Sequence, residues 1–374
     1  MILILTQCFP SRLGGIESLV SNLALGLSES EKVIVFADSH NIVYDAIFDN
    51  QYKKQIIVRR VGGLKFFRRR KKIKEIKPLI ESNKVKLVIG DSWKSLELVI
   101  NYLNIKKIPS VCLVHGNEIL SEEVRKINRI KKTIEKTTLI IANSQYTLNL
   151  VKSLEIPNIQ IDYIYPGALD LRKESIDESI MELPIIKGSP VILTLARIEK
   201  RKGHAYVIYS IKKLLNKYPN IMYLIAGEGK EKKNLEKLVI DNNLSKNIIF
   251  IGSVNEKQKK FLFEKTDLMV MPTIDESKKN SIEGFGISYI EAAFFSIPSI
   301  ASNIGGTSEA VINNSTGIVI EKIELLHEAI IELLDNPEKK IKFGNIAKER
   351  ALKDFSWKIV TKNHLSIYKK NNIL

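Results

Sequence analysis

Cysteine is nearly absent: the 374 residues hold two, Cys8 and Cys112. Two thiols cannot build a disulfide framework or a four-ligand zinc site. Long apolar runs are missing as well, and none approaches the roughly 18 residues needed to cross a bilayer. The opening Met1-Ile2-Leu3-Ile4-Leu5 is apolar but too short for a signal peptide, and no basic residue precedes it. Neither Gly-x-Gly-x-x-Gly nor Gly-x4-Gly-Lys-Ser/Thr occurs, which removes the dinucleotide and P-loop fingerprints. No two aspartates lie two residues apart, so an Asp-x-Asp site for a metal–nucleotide complex is missing. A Gly-x-Ser-x-Gly elbow and paired histidines at metal spacing are absent too, and no metal site is expected. What is left is a soluble, cytoplasmic, globular chain, and at about 150 residues per domain its length predicts two domains.

Hydrophobic (44%) and charged (27%) content is ordinary for a globular protein, which excludes extended disorder and coiled coil. The sign of the charge is not ordinary: 58 Lys and Arg face 42 Asp and Glu, a net +16 that asks for an anionic partner. The excess has an address. Residues 51–100 hold 15 basic and 4 acidic residues and residues 101–150 hold 8 and 4, most sharply in Lys65-Phe66-Phe67-Arg68-Arg69-Arg70-Lys71-Lys72-Ile73-Lys74-Glu75-Ile76-Lys77. Three readings fit that run. Phe66, Ile73, Ile76 and Ile80 recur at helical spacing and would dock on a core, leaving the cations in water. A nucleic-acid surface is the second, though no nucleic-acid motif accompanies it. The third is an anionic membrane, where each cation contributes on the order of 1 kcal/mol and Phe66 and Phe67 insert.

Short apolar runs alternate with amphipathic helical stretches along the chain. Ile2–Leu5, Lys32–Phe36, Leu87–Ile89, Val111–Val114 and Leu139–Ala142 read as strands, with a helix from Gly14-Gly15 to about Leu27. After an aperiodic stretch the pattern restarts. Val191–Leu195, Ile221–Ala226, Ile248–Phe250, Leu268–Met271, Ser299–Ala301 and Gly317–Ile320 read as strands, and His204–Tyr218 and Lys230–Asn242 as helices. The expected architecture is α/β: two Rossmann-like domains, 1–170 and 186–355, joined by a linker at 171–185 and facing across a cleft. Residues 356–374 read as a helix that either extends the second domain or crosses back onto the first. In open parallel sheets ligands bind beyond the carboxyl ends of the strands.

The densest chemistry follows Met271-Pro272. In Glu283-Gly284-Phe285-Gly286-Ile287-Ser288-Tyr289-Ile290-Glu291, a glycine turn opens an apolar helix. Backbone N–H groups of Gly286, Ile287 and Ser288 then lie at a helix start, suited to an anion. Glu291 sits one turn in, within reach of a diol flanking a phosphate, and Glu283 precedes the turn; two solvated glutamates are the plain alternative. A second cluster, Arg197-Ile198-Glu199-Lys200-Arg201-Lys202-Gly203, leaves the first strand of the second domain. There Arg197 and Lys202 can neutralise a diphosphate leaving group, or simply form a surface charge run. In the first domain Gly14-Gly15 permits close approach of a ligand to backbone, and His115 ends a strand beside Gly116; a plain turn and a structural histidine are the alternatives.

In this order the clusters resemble the retaining glycosyltransferases of glycosyltransferase family 4, which have the GT-B fold. The most specific element is the Glu283/Glu291 pair within Glu-Gly-Phe-Gly. Ala226-Gly227-Glu228-Gly229, Phe250-Ile251-Gly252, Gly305-Gly306-Thr307-Ser308-Glu309 and Tyr165-Pro166-Gly167 are similar to further family landmarks. Ser296 stands where the family usually has glycine, and Gly167-Ala168-Leu169-Asp170 is one residue longer than its commonest hinge. The resemblance implies a UDP- or GDP-sugar co-substrate without metal or other cofactor. It implies that Arg197 and Lys202 bind the donor diphosphate, Glu291 the ribose, and Glu283 and His115 the transferred sugar, with Gly15 near the phosphates. It further implies transfer with retention, the departing phosphate helping to deprotonate the acceptor. A GT-B sugar-nucleotide epimerase and a catalytically silent partner protein are the alternatives. With the basic excess in the domain expected to meet the acceptor, residues 65–77 are read as docking on an anionic membrane, and no nucleic-acid partner is expected. The acceptor expected there is a lipid-linked or cell-surface glycan.

Overall fold

The computed structural model describes residues 1–175 and 177–374. Short runs of Ile, Val and Leu become two parallel sheets. The first contains β1 (Ile2–Leu5), β2 (Val33–Asp38), β3 (Ile56–Val61), β4 (Leu87–Gly90), β5 (Ser110–Val114), β6 (Leu139–Ala142) and β7 (Ile161–Tyr163), in the order β3-β2-β1-β4-β5-β6-β7. The second contains β8 (Val191–Leu195), β9 (Met222–Ala226), β10 (Ile248–Gly252), β11 (Leu268–Met271), β12 (Ser299–Ser302) and β13 (Gly317–Ile320), in the order β10-β9-β8-β11-β12-β13. Every pairing is parallel, so the intervening helices cover both faces and most of the inner strands are continuous apolar runs. Strand alternation separates two cores in the first sheet. Ile2 and Ile4 join the helix Gly15–Ser28 on one face, and Leu3 and Leu5 join Ile76, Ile80 and Trp93 on the other.

Two compact units result: Met1–Gly167 with Trp357–Leu374, and Ala168–Ser356. The helix Trp357–Lys370 belongs to the first, where Val360 and Tyr368 pack among residues of β1, β2 and the helix Gly15–Ser28. The stretch 171–185 belongs to the second unit, tied there by Lys257 to Asp177 and by Lys260 Nζ to the Glu174 carbonyl at 2.7 Å. Strand order reverses between β1 and β4 and between β8 and β11, so each unit has a crevice at the carboxyl ends of those strands. No helix among the described residues is long and apolar enough to cross a membrane.

The basic run folds as the helix Lys65–Glu81, and one expectation fails there. Phe66 does not dock on the core; it is 70% exposed. The inward row at four-residue spacing is Lys72, Ile76 and Ile80, and Phe66 lies off it. Lys72 can be buried because its ammonium donates to the Thr6 carbonyl and pairs with Asp38, each at 2.6 Å. Arg68 pairs with Asp38 at 3.5 Å and Arg69 with Glu97 at 2.9 Å. Lys65, Arg70, Lys71, Lys74 and Lys77 face water.

In the second unit the helix Ile287–Phe294 closes with a Schellman motif, Ser296 N–H bonding the Ala293 carbonyl (3.0 Å) and Ile297 N–H the Ala292 carbonyl (3.3 Å). The motif requires a left-handed residue, and Ser296 has φ +59°. The Cβ strain exceeds the unfolded-chain entropy that a glycine would add. Ser296→Gly is therefore expected to stabilise the protein by roughly 0.5–1 kcal/mol, read as a higher midpoint in urea with an unchanged slope.

Candidate functional site

Two loops at the β8/β11 crevice carry the chemistry. From β8 the chain runs through Arg197 into the turn Lys200–Lys202 and then Gly203, which has φ +73°. A Cβ at Gly203 would meet the Pro272 carbonyl oxygen at 2.0 Å, so only glycine lets this loop press against the end of β11. The Ile274 N–H bonds the Arg201 carbonyl at 2.8 Å and completes the contact. The second loop is equally constrained. The Gly306 N–H bonds the Glu283 carbonyl at 2.9 Å, and a Cβ at Gly305 would sit 2.2 Å from that same oxygen. Gly286, at φ +100°, then opens the helix Ile287–Phe294, and Tyr289 from its first turn donates to the Met271 carbonyl at 2.5 Å.

The result is a carboxylate caught between two cations. Glu283 Oε2 accepts from both Lys202 Nζ and Arg201 Nη1. Arg201 Nε lies 3.2 Å from Glu199, whose other oxygen pairs with Arg197 at 2.9 Å. Arg201, Lys202 and Glu283 are nearly enclosed, whereas the Arg197 side chain is 60% exposed. Three cations against two carboxylates leave the cluster at +1. Burial alone would push the Glu283 carboxyl up; Lys202 and Arg201 reverse that and hold it at about 2. Burial pushes the Lys202 ammonium down, with the Glu283 charge opposing and the Arg201 charge assisting.

Glu291 lies apart from this cluster in an ion pair of its own, Oε1 to Lys259 Nζ at 3.1 Å. Burial works against the Lys259 charge, but Glu291 and Glu256 outweigh it and raise its pKa. The N–H groups of Ile287 and Ser288 open their helix with no preceding helical carbonyl to bond. In the first unit, Gly15 begins the helix Gly15–Ser28. His115 leaves β5 with Nε2 2.9 Å from the Asp91 carbonyl. A carbonyl only accepts, so Nε2 carries the proton and Nδ1 is the acceptor of the neutral ring.

The structure thus brings Lys202 and Glu283 into contact and links Arg197 to them through Glu199 and Arg201. It keeps Glu291 with Lys259, and Gly15 and His115 within the other unit. Three important residues escaped sequence reasoning. Arg201 was hidden in a run of four charged residues whose side-chain directions cannot be read from spacing. Lys259 lies on a separate helix, Glu256–Glu264, with nothing in the sequence linking it to Glu291. Asp91 had a legible signal, an acid directly after β4. Its carboxylate accepts from Thr6 Oγ1 (2.7 Å), Gln7 N–H (2.9 Å) and Ser95 Oγ (2.5 Å), pinning the loop that follows β1 while its carbonyl holds His115.

Among the described residues no group of three or more His, Cys, Asp and Glu side chains converges to hold a metal ion. Residues 175–350 match the family described as glycosyl transferases group 1, and residues 13–168 match glycosyltransferase family 4. The chain is 25% identical over 371 residues to a GDP-mannose-dependent monoacylated alpha-(1-6)-phosphatidylinositol monomannoside mannosyltransferase of Corynebacterium glutamicum, covering 96% of this chain and 95% of that protein. Its fold is that of Anabaena HepE, solved in complex with UDP (TM-score 0.79, 17% identity, 99% of each chain). It is also that of sucrose-phosphate synthase from Thermosynechococcus elongatus (TM-score 0.78, 18% identity, 99% of this chain and 98% of that one). These are GT-B folds, two Rossmann-like domains each.

The Glu283 ion pairs make stability pH-dependent with a definite sign. A folded-state pKa of about 2 against the ordinary glutamate value of 4.5 means the contribution is full above the unfolded value and is lost as pH falls towards 2. Its size is about 3 kcal/mol. Glu283→Gln is expected to lower the thermal midpoint at pH 7, and the gap to the parent protein should close as pH drops below about 4.5. Calorimetry across that range is the check.

Proposed function

We propose that this chain, a GT-B glycosyltransferase related to the group 1 and family 4 glycosyltransferases, moves a sugar from a UDP- or GDP-sugar to a lipid-linked or cell-surface polysaccharide acceptor at the cytoplasmic membrane face, with retention. The observation that carries this reading is the buried Glu283 carboxylate held by Lys202 and Arg201 at the rim of a crevice that also bears the exposed Arg197. The second unit takes the donor. Arg197 and Lys202 neutralise the diphosphate as its bond to the sugar lengthens, and the N–H groups of Gly286, Ile287 and Ser288 take further phosphate oxygens. When Lys202 turns to phosphate, Arg201 keeps Glu283 ionised and in place to accept hydrogen bonds from hydroxyls of the transferred sugar. Glu291, steadied by Lys259, accepts from the ribose diol. In the first unit His115 Nδ1 accepts from a donor-sugar hydroxyl, and backbone at Gly15 approaches the phosphates. The acceptor oxygen bonds the anomeric carbon on the face that the phosphate leaves, and the departing phosphate oxygen takes the acceptor proton. No enzyme nucleophile is required.

The acceptor side rests on charge. The corynebacterial relative is named for a phosphatidylinositol monomannoside, a lipid glycan, and the first unit of this chain carries the basic excess. Residues 65–77 adsorb to anionic lipid through Lys65, Arg70, Lys71 and Lys74, with Phe66 and Phe67 exposed beside them.

Purified protein given UDP- and GDP-sugars and a lipid extract should release nucleoside diphosphate in the presence of EDTA and place sugar of unchanged anomeric configuration in the lipid fraction. Lys202→Met and Glu283→Ala should each lower that rate by about 100-fold or more. Release at the parental rate in both variants would remove the site assignment. In flotation, Lys71→Glu/Lys74→Glu should weaken binding to phosphatidylglycerol vesicles by at least about tenfold, whereas equal flotation with neutral and anionic vesicles would reject the membrane reading.

A further inference from the structure

The helix Ile42–Tyr52 packs Phe48 and Tyr52 on the core, but its start turns a charge inward and apolar side chains outward. The side chain it buries is a carboxylate, Asp45, which accepts from Ser11 Oγ and Ser39 Oγ (both 2.8 Å) and the His40 N–H (2.9 Å), and pairs with Arg60 (3.3 Å). Its outer face carries Ile42, Val43, Tyr44 and Ile47, exposed by 83, 66, 62 and 58%. Such grouping departs from the scattered single exposures normal for a surface. The exposure is confined to the first two turns; further along the same face stand Asn50 and Gln51, and Lys53 and Lys54 follow.

This end of the helix is firmly anchored. Phe48 packs edge-on to Phe9 and against Tyr52, with ring centroids 5.4 and 4.8 Å apart. Asn41 caps the helix, its Oδ1 accepting from the N–H groups of Val43 (3.1 Å) and Tyr44 (3.2 Å). Those two backbone donors therefore need no water, a condition for placing a helix end in an apolar medium.

The register of the sheet supplies the neighbour. Asp38 of β2 pairs with Val61 of β3, and the Ser39 N–H bonds the Val61 carbonyl at 3.0 Å. Arg68 then donates to the Ser39 carbonyl at 3.4 Å. The start of the helix Lys65–Glu81, with exposed Leu64, Phe66 and Phe67, thereby lies beside the start of Ile42–Tyr52 on one rim of the sheet.

We propose that this rim is a wedge inserted into an anionic bilayer, the first two turns of Ile42–Tyr52 lying at the boundary between headgroups and acyl chains. The proposal rests on the membrane reading above and adds to charge adsorption a second, apolar contact made by a helix outside the basic run. Charge selects the occupant. Arg70 lies over the Phe66 ring at 4.9 Å, and Lys65, Lys71 and Lys74 are exposed on the same helix, so a second copy of the chain docked by twofold symmetry would bring like charges together, whereas anionic headgroups neutralise them.

The experiment uses the full chain and vesicles of phosphatidylcholine with or without phosphatidylglycerol. A Tyr44→Trp variant should show, relative to the parent protein, a blue-shifted emission on anionic vesicles that is quenched when the lipids carry bromine on their acyl chains. Ile42→Ser/Ile47→Ser should reduce partitioning by about tenfold or more with an unchanged thermal midpoint. If the Tyr44→Trp protein floats with anionic vesicles but its added emission is neither shifted nor quenched, the wedge is refuted while charge adsorption stands. If the parent protein floats with no vesicle, the membrane reading itself fails. A dimer in light scattering that Ile42→Ser/Ile47→Ser dissolves would also overturn the proposal, by assigning the face to a second copy.

Discussion

A carboxylate buried without a countercharge is among the costliest groups a protein can hold, and the second unit is arranged around avoiding that cost at Glu283. One oxygen receives two cations, and both come from a single turn of three residues. For that turn to reach the carboxylate, Gly203 has to lie against the Pro272 carbonyl. For the carboxylate to stay in place, Gly305 and Gly306 have to close on the Glu283 carbonyl. The glycines are thus consequences of the ion pair as much as conditions for it. A residue with a Cβ at either contact would separate the charges before it disturbed the hydrophobic core.

The first unit applies the same logic with different partners. Asp91 stands at the end of β4, beside the reversal of strand order, and gathers hydroxyl and N–H donors from the loop after β1. Asp45 gathers donors from the loops after β1 and β2. Asp38 takes the ammonium of Lys72. The strongly basic character of this region is therefore two populations. Arg60, Arg68, Arg69, Lys72 and Arg129 serve carboxylates of the unit, whereas Lys65, Arg70, Lys71, Lys74 and Lys77 face solvent.

Most of the strands could be read directly, because a parallel strand covered on both faces must be continuously apolar, as Ile2–Leu5 and Leu268–Met271 are. The two missed strands are the outer ones of the first sheet. β3 is half-buried and carries Arg59 and Arg60 within the basic stretch, and β7 is three residues long with Asp162 at its centre. At the site, the residue types and their loops were legible, since glycine before an apolar helix and cations after a strand are local patterns. What spacing could not show was partnership: that Arg201 and not Arg197 would share Glu283, or that Lys259 would take Glu291. Those contacts join residues 32 to 82 positions apart and depend on how separate loops, in one case, and separate helices, in the other, meet. The outward face of Ile42–Tyr52 was hidden for the opposite reason. An apolar row on a helix is ordinarily assigned to the core, and here Asp45, Phe48 and Tyr52 take that side instead.

The helix Trp357–Lys370 has a consequence for how the protein is made. Domains ordinarily fold one after another as they leave the ribosome, the earlier one first. Here the core of the first unit includes Val360, Tyr368 and Ile373, which are synthesised after all of Ala168–Ser356. The unit that begins first is completed last, and the second unit can bury its own core while the first still exposes the apolar face of Gly15–Ser28. Until Trp357–Lys370 emerges, that face has no partner within the chain made so far that covers it as the finished core does.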